Sequence, residues 1–226
     1  EQCDSCNIGR HAIFSVLTHD EREQLDAIKV AQRYSRGEVI FEQGHNPKGL
    51  YCISEGKVKI TKLGDEGRDQ IVRMDNSAKV LGYRSLLSEE PYSATATALE
   101  QSTICFIPAH VIFEFLKNNS DLAFQMMRVM AQDIKRAEER LTDFTQKPVK
   151  ERLAQTLLSL LESYGQTAEG YLDISLTRQE WANLMGTTTE TAIRTLSEFN
   201  KEGLIRLERK KVKLLQQERL WGLAEL

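Results

Sequence analysis

Long apolar segments are missing from this 226-residue chain. No stretch approaches the roughly 20 apolar residues that a membrane-spanning helix needs. The first residues are polar and do not resemble a secretion signal. We therefore expect a cytoplasmic protein that has no membrane partner. Apolar residues nevertheless make up 41% of the chain, so it can bury a sizeable core in one or two domains.

Catalytic residue patterns are also missing. The four histidines, His11, His19, His45 and His110, are scattered along the chain. They are not accompanied by a Ser-His-Asp set, a phosphate-binding glycine loop or paired carboxylates. We predict no catalytic residues and no enzymatic activity.

Strong charge of either sign is absent as well, because the formal net charge is only −3. This value argues against non-specific nucleic-acid binding by the whole molecule. Residues 147–226 hold 12 Lys plus Arg against 11 Asp plus Glu, which leaves that part only slightly basic. Any affinity for DNA must therefore come from a local cluster. The candidates for such a cluster are Arg206, Arg209, Lys210, Lys211 and Lys213.

A helix-turn-helix is predicted over Leu176 to Leu196. Ala182 and Gly186 stand four residues apart, which places a small residue where two helices cross and a glycine where the chain turns. The run Thr187-Thr-Thr-Glu190 then predicts the start of a second helix, with a threonine cap and Glu190 reaching back to it. Residues 204–215 follow, and they predict a two-stranded wing with a basic tip.

Short apolar segments alternate with glycines between residues 37 and 107, which predicts a small antiparallel barrel or sandwich. The pattern Thr18-His-Asp-Glu21 before it predicts the capping box of a helix that runs to about Gln32. The inward residues of this helix are expected to be Leu25, Ile28 and Val30 or Ala31.

A narrow apolar seam runs along residues 120–144. Its four-three spacing is typical of a two-stranded coiled coil, so we predict a parallel homodimer formed through it. A helix that covers the barrel core is the alternative, although such helices usually have a broader apolar stripe. The expected interface residues are Met127, Met130, Ile134, Ala137, Leu141 and Phe144.

The run Thr145-Gln-Lys-Pro148 interrupts this helix, and a proline suits the first turn of the next one. We therefore expect a hinge at Pro148. The chain then divides into residues 1–119 as an N-terminal segment and sensor domain, 120–144 as a dimerisation helix and 145–226 as a DNA-binding domain.

With barrel, seam helix, hinge, helix-turn-helix and wing in this order, the chain resembles the CRP/FNR family of bacterial transcription regulators over almost its full length. Three motifs are similar to those of the family: Leu176-Thr-Arg-Gln-Glu-x-Ala-x-Leu-Met-Gly186 followed by Glu190-Thr-x-x-Arg194, Leu50-Tyr-Cys-Ile-Ser-Glu-Gly-Lys-Val-Lys59, and Ala98-Leu-Glu-x-Ser-x-x-Cys105-x-Ile-Pro108. The resemblance implies an α+β fold with an N-terminal antiparallel β-roll, a long dimerisation helix and a C-terminal winged helix-turn-helix. It also implies a homodimeric regulator that binds a two-fold DNA operator and works with RNA polymerase.

FNR proteins hold an oxygen-sensitive iron–sulfur cluster on four cysteines. Cys3, Cys6 and Cys105 match three of those places, and Ala12 stands at the fourth. Alanine cannot ligate iron, and a four-iron cluster normally takes four thiolates. His11 or a cysteine upstream of Glu1 is the alternative ligand, so a metal or redox sensor stays as the second hypothesis. The favoured expectation is that Cys105 is a buried strand thiol and that no cofactor is bound.

The cyclic-nucleotide branch of the family grips its ligand with an acidic residue and an Arg-Ser pair. Tyr83 stands here in place of the acid and Ser93-Ala94 in place of the pair, and Arg84 lies out of register. The charge-assisted contact to a cyclic phosphate is therefore missing. We expect an effector pocket around Tyr83, Arg84, Ser93 and Ala94 that takes an unknown small-molecule or redox signal and not cAMP. A ligand-binding module without DNA binding is the third hypothesis.

Outward residues near the start of the second helix are expected to contact bases in the major groove. Alternatively, Glu190 completes the helix cap and Arg194 pairs with Glu190 or Glu198. The candidate base contacts are Thr188, Thr189, Glu190, Ile193 and Arg194. The candidate phosphate contacts are Thr177, Arg178, Gln179, Lys210 and Lys211.

Overall fold

The computed structural model describes residues 13–64, 67 and 69–224. The chain forms two compact units, a first unit that ends at Lys135 and a second unit that begins at Arg136. No helix in the described part of the chain is long and apolar enough to cross a membrane.

The first unit is built on two four-stranded antiparallel sheets, which confirms the expected small β-domain. One sheet has the strand order β1-β8-β3-β6 and the other has the order β2-β7-β4-β5. The strands are β1 (Val30–Tyr34), β2 (Val39–Phe41), β3 (Gly49–Glu55), β4 (Lys57–Leu63), β5 (Asp69–Asn76), β6 (Val80–Leu81), β7 (Thr95–Ala98) and β8 (Ser102–Pro108).

A 3-10 helix (Ile13–Val16) and three short α-helices accompany these sheets: α1 (His19–Ile28), α2 (Tyr83–Ser88) and α3 (Ala109–Asn118). The capping box that opens α1 is present, because Thr18 and Glu21 bond to each other's backbone N–H. The expected end of α1 at Gln32 is wrong. The chain is already extended at Lys29, and Val30 pairs with Phe106 of β8, so Val30 and Ala31 are exposed strand residues.

The long helix α4 spans Ser120–Gln146 and crosses the boundary between the two units. Its first turns cover the core of the first unit, where Leu122 and Met126 are buried and Met130 packs from the side. Its exposed apolar residues are Phe124, Met127, Ile134 and Leu141, at 60%, 53%, 57% and 65% exposure. The helix therefore combines the two features that the sequence left open, a cover for the β-domain and an exposed apolar seam.

The second unit contains α5 (Val149–Tyr164), α6 (Arg178–Met185), α7 (Thr189–Lys201), the hairpin β9 (Ile205–Glu208) and β10 (Lys211–Leu214), and α8 (Gln217–Ala224). Pro148 precedes α5, as expected from the sequence, and Gly165 follows it. Helices α6 and α7 form the predicted helix-turn-helix, and the hairpin forms the predicted wing. The buried side chains of the second unit include Leu157, Trp181, Met185, Leu196, Phe199 and Val212.

Candidate nucleic-acid interface and effector region

Helix α6 begins with a complete capping box between Thr177 and Glu180. The Thr177 Oγ1 accepts a hydrogen bond from the Glu180 backbone N–H at 3.1 Å. In return, Glu180 Oε2 accepts bonds from the Thr177 backbone N–H at 2.8 Å and from its hydroxyl at 3.0 Å. The Thr177 donors are therefore used inside the motif, and this residue fixes the start of α6.

The turn between α6 and α7 depends on Gly186, which adopts a left-handed conformation with φ of 61°. A Cβ atom at this position would lie 2.7 Å from Cε1 of Phe144. Both this close contact and the left-handed conformation therefore disfavour any residue with a side chain here. Ala182 is completely buried beside the turn, and its carbonyl accepts the backbone N–H of Thr187 at 3.0 Å. These observations account for the small residue and the glycine in the motif.

Helix α7 is capped by Thr188, whose hydroxyl accepts the backbone N–H of Thr191 at 3.2 Å. The third helical position is therefore Thr191, and Glu190 stands one residue too early to reach back to the cap. The interpretation of Glu190 as a capping residue is wrong, and its carboxylate is exposed.

An exposed row on α7 contains Glu190, Ile193 and Arg194. Within the part of the chain that the structure describes, no hydrogen bond or ion pair holds Glu190 or Arg194. Glu198, the alternative partner of Arg194, instead contacts Lys150 Nζ at 2.9 Å. The hydrogen bond from Lys150 lowers the pKa of Glu198, and the charge of Arg194 adds to this only as one of the weaker causes. The side chains of Glu190 and Arg194 are thus both available to bind an external partner.

The other α7 candidates differ in accessibility. Thr188 is exposed, whereas Thr189 is half-buried and donates its hydroxyl hydrogen to Gln179 Oε1 at 2.6 Å. Gln179 also donates from Nε2 to Asn183 Oδ1 at 2.7 Å. The sequence did not indicate this link between the first and second helices of the motif.

The wing presents its positive charge at the turn between β9 and β10. Glu208 pairs with Lys211 in register, so Arg209 and Lys210 form the exposed tip. Lys211 Nζ lies 5.6 Å from the centroid of the Tyr171 ring, within the range of cation–π attraction. The sequence did not indicate this contact. Arg178, the remaining phosphate candidate, is half-buried at the start of α6.

Three residues of the predicted dimer seam, Met127, Ile134 and Leu141, are exposed on α4 and recur every seven residues. Ala137 is also exposed, and Met130 is half-buried against the core of the first unit. Phe144 has a different environment from the one expected, because its ring contacts Gly186 inside the second unit. Phe124, which the sequence interpretation omitted, extends the exposed seam toward the start of α4.

In the first unit, Tyr83 and Arg84 both bond to the carboxylate of Asp133 on α4. The Tyr83 hydroxyl and Arg84 Nη2 donate to Asp133 Oδ2, the latter at 3.0 Å. Arg73 Nη1 of β5 donates to the same oxygen at 2.6 Å, and Arg73 Nε lies 2.7 Å from Asp75 Oδ2. In the expected effector region, Tyr83 and Arg84 are therefore already bonded to a residue of this chain, Asp133.

Burial shapes the ionisation of this cluster. Burial alone would raise the pKa of Asp133, but the Tyr83 hydrogen bond and the charge of Arg73 hold it below its usual value. Burial raises the pKa of the Tyr83 phenol, which therefore keeps the hydrogen that it donates. Asp75 behaves in the opposite way, because burial outweighs the charge of Arg73 and raises its pKa.

The two remaining effector candidates lack charge. Ser93 is exposed, Ala94 is half-buried, and within residues 82–94 the one guanidinium belongs to Arg84. Since Arg84 already bonds to Asp133, this segment does not supply the paired cationic contact that a cyclic phosphate needs. The residues present do not fit a tightly bound cyclic nucleotide.

Cys105 is a buried thiol on β8, directly opposite Cys52 of β3 in the strand register. Cys3 and Cys6 lie outside the described residues. No group of three or more His, Cys, Asp or Glu side chains that could hold a metal occurs in the described ranges. With Ala12 at the fourth family position, the cysteines present do not fit a cluster held by four thiolates.

Two family models match the chain. A cyclic nucleotide-binding domain matches residues 31–119, and a Crp-like helix-turn-helix domain matches residues 151–223. Electron transport regulator A of Shewanella oneidensis is 30% identical over 211 residues, which cover 92% of this chain and 84% of that protein. The fumarate and nitrate reduction regulatory protein of Vibrio cholerae is 28% identical over 225 residues, covering 98% of this chain and 90% of the relative.

Solved structures agree with this fold. A putative CRP/FNR-family transcriptional regulator from Eubacterium rectale superposes with a TM-score of 0.77 at 21% identity, covering 95% of this chain and 98% of that one. FixK2 from Bradyrhizobium japonicum gives a TM-score of 0.76 at 21% identity, with 87% and 97% coverage. Family regulators of this kind bind DNA and act as dimers. The chain belongs to the CRP/FNR family of DNA-binding transcription regulators, because the two family models and the relatives match it and its β-domain, long helix and winged helix-turn-helix occur in the same order.

Proposed function

We propose that α7 is the recognition helix of this regulator and that Glu190 and Arg194 contact base pairs in the major groove. The observation that supports this most directly is the exposure of both side chains, four residues apart on one face, with no bond to other described residues. Charged side chains on a solvated face usually find partners on their own helix. Here the available partner Glu198 is engaged by Lys150 instead.

The chemistry of the two side chains defines the expected half-site. A guanidinium can donate two hydrogen bonds to O6 and N7 of guanine, and a carboxylate can accept one from N4 of cytosine. Each such pair is worth roughly 1–3 kcal/mol of discrimination against the wrong base. We therefore expect a half-site with a central G·C step. Ile193, exposed between them, is suited to contact a thymine methyl group.

Phosphate contacts would come from the flanks of the helix-turn-helix. Arg178 and Gln179 lie at the start of α6, and Lys210 and Lys211 lie at the wing. These residues fix the position of the protein on the duplex without selecting the sequence. Thr177 has an indirect part in this scheme, since its hydroxyl and its N–H are both used to cap α6.

The exposed seam of α4 supports a homodimer. Met127, Ile134 and Leu141 recur every seven residues, and such a stripe is buried when two copies of the helix pair. A two-fold dimer would bind two half-sites about one helical turn apart, roughly 34–36 Å between centres. RNA polymerase is the expected further partner of a regulator bound to such an operator.

The first unit would receive the regulatory signal. The model match to a cyclic nucleotide-binding domain supports a small-molecule effector as the general class. Neither the cyclic-phosphate contact nor the four-thiolate cluster fits the residues at those places, so we assign neither ligand. A signal can shift the DNA-binding equilibrium only if it favours one arrangement of the protein over another.

Selection of bound sequences from random duplex DNA at fixed salt tests the proposal. The expected product is a two-fold site with G·C pairs at equivalent places in both halves. Parallel selections with and without reductant show whether thiol chemistry changes binding. Enrichment of no sequence, or of a site without two-fold symmetry, would contradict the assignment of α7 in a dimer.

A further inference from the structure

We propose that Phe144, Arg140 and Arg152 are positioning residues that fix the recognition helix to the end of α4 and thereby set the spacing of the two half-sites. This inference rests on the proposed function. All the contacts that support it lie within the second unit, which begins at Arg136.

The carbonyl end of α6 is bonded by side chains from two other helices. Carbonyl groups in the last turn of a helix have no partner inside the helix and carry partial negative charge. Helix α6 has no basic residue in its own last turn. Two guanidinium groups from other helices take this place: Arg140 Nη2 donates to the Leu184 carbonyl at 3.1 Å, and Arg152 Nε donates to the Met185 carbonyl at 3.0 Å.

The ring of Phe144 packs against the turn between α6 and α7. This ring lies directly against Gly186, where even a methyl group would come within 2.7 Å of it. The guanidinium carbons of Arg140 and Arg152 lie 5.4 and 5.6 Å from the ring centroid, within the range of cation–π attraction. Gly186 stands two residues before the cap of α7. The ring and its two cations therefore hold the turn from which the recognition helix starts.

Side-chain hydrogen bonds span the connection at Pro148, where the sequence predicted a hinge. Arg152 Nη1 donates to the Lys147 carbonyl at 2.6 Å, and Gln155 Nε2 donates to Asp143 Oδ2 at 2.7 Å. Lys147 Nζ in turn donates to the Ala224 carbonyl at 2.5 Å. The residues on either side of Pro148 are thus bridged by side chains. The division between the compact units falls after Lys135, inside α4.

Together these contacts fix the position of α7 relative to the C-terminal half of α4. In a dimer formed through the seam of α4, the positions of the two α4 C-termini then determine the distance between the two recognition helices. Removal of the clamp formed by Phe144, Arg140 and Arg152 should loosen this distance. The bases preferred within one half-site should not change, because Glu190 and Arg194 are not in contact with the clamp.

The test compares Phe144→Ala, Phe144→Leu and Arg140→Gln with Thr145→Ala as the matched control. Thr145 is exposed, and among the described residues its hydroxyl bonds to carbonyls of its own helix, at Leu141 and Thr142. The probes are the duplex selected by the wild type and the same duplex with one base pair added or removed between the half-sites. Affinity, dimer state and half-site base preference are measured for each protein.

We expect the wild type and Thr145→Ala to discriminate against the altered spacings. In the clamp variants this discrimination should fall about tenfold, or about 1.4 kcal/mol, while dimer state and half-site preference stay the same. Retained discrimination in Phe144→Leu and Arg140→Gln would overturn the inference, even if Phe144→Ala does not fold. An equal loss of affinity at every spacing would also overturn it, because that result indicates a purely structural role. A wild type that selects no DNA sequence refutes the proposed function itself, which is a distinct outcome.

Discussion

Arg73 Nη1 lies 2.6 Å from Asp133 Oδ2, although 60 residues separate the two in the sequence. The same carboxylate oxygen accepts hydrogen bonds from Tyr83 and Arg84, so one acidic group of α4 satisfies three donors of the β-domain. The side chain of Asp133 is only 6% exposed. This cluster attaches the first half of α4 to the first unit by charge as well as by apolar packing.

Replacement of Asp133 by asparagine should therefore destabilise the first unit. The variant leaves the positive charges of Arg73 and Arg84 together without their shared counter-charge, and removal of one partner of a buried pair costs about 3 kcal/mol. Urea unfolding at pH 7 and fixed protein concentration measures the loss. Glu138→Gln is the matched control, since it removes the same charge from an exposed place on the same helix. Equal stability of the two variants would contradict the structural role of the cluster.

The cost of Asp133→Asn should also depend on pH. The pKa of Asp133 is lowered in the folded protein, because the Tyr83 hydrogen bond and the Arg73 charge outweigh its burial. A carboxyl group with a depressed pKa contributes stability that is complete above its unfolded-state pKa of about 3.9 and is lost as the pH falls through the folded value. The difference between wild type and variant should hold from pH 7 to about pH 5 and shrink below about pH 4. Asp75 is present in both proteins, and the charge of Asp133 raises its pKa less than burial does, so we expect Asp75 to change this difference only slightly. A difference that stays constant down to pH 3 would exclude this mechanism.

Gly186→Ala should destabilise the second unit more than Gly203→Ala does. Both glycines have positive φ, 61° and 69°, and a left-handed conformation costs roughly 1–2 kcal/mol for other residues. Only at position 186 does the added methyl group also meet a ring, that of Phe144 at 2.7 Å, whereas at Gly203 the nearest atom lies 3.8 Å away. Urea unfolding of the two variants separates the packing cost from the conformational cost. An equal loss of unfolding free energy in the two variants would show that the ring of Phe144 moves aside without destabilising the protein.

Leu141→Glu should weaken the dimer. The Leu141 side chain is 65% exposed, and its burial against a second copy would contribute roughly 1.5–3 kcal/mol per side chain. Since a dimer holds two copies, we expect a dissociation constant at least about a hundredfold higher. Sedimentation equilibrium over a range of protein concentrations gives this constant. Leu63→Glu, on β4 with 56% exposure, is the matched control and should leave it unchanged. A dimer that tolerates the change at Leu141 must use another surface.

The features predicted correctly from the sequence are those that local chemistry determines. Gly186 and Pro148 mark a turn and a break by their own backbone properties, and the structure has both where the sequence placed them. The misplaced features depend on distant partners. Val30 continues a helical pattern but pairs with a strand more than 70 residues away in the chain. Phe144 continues the spacing of the seam but packs on a glycine 42 residues further along. Asp133 was one of many charges on α4, and only the fold shows its three donors.

Arg194→Ala provides the most direct test of base recognition. The side chain is exposed and bonds to no other described residue, so the thermal stability of the protein should stay the same. Affinity for the selected operator should fall by about 1–3 kcal/mol, while affinity for random duplex DNA changes much less. Base preference should relax at one symmetric pair of positions.

Lys210→Ala is the matched comparison, because this exposed wing residue is expected to contact phosphate only. It should weaken binding to operator and random DNA alike and reduce the salt dependence of binding by about one phosphate contact. Titrations of both duplexes at several salt concentrations distinguish the two effects. If Arg194→Ala instead lowers both affinities equally and changes the salt dependence, Arg194 contacts the backbone, and the bases must be read by other residues of α7.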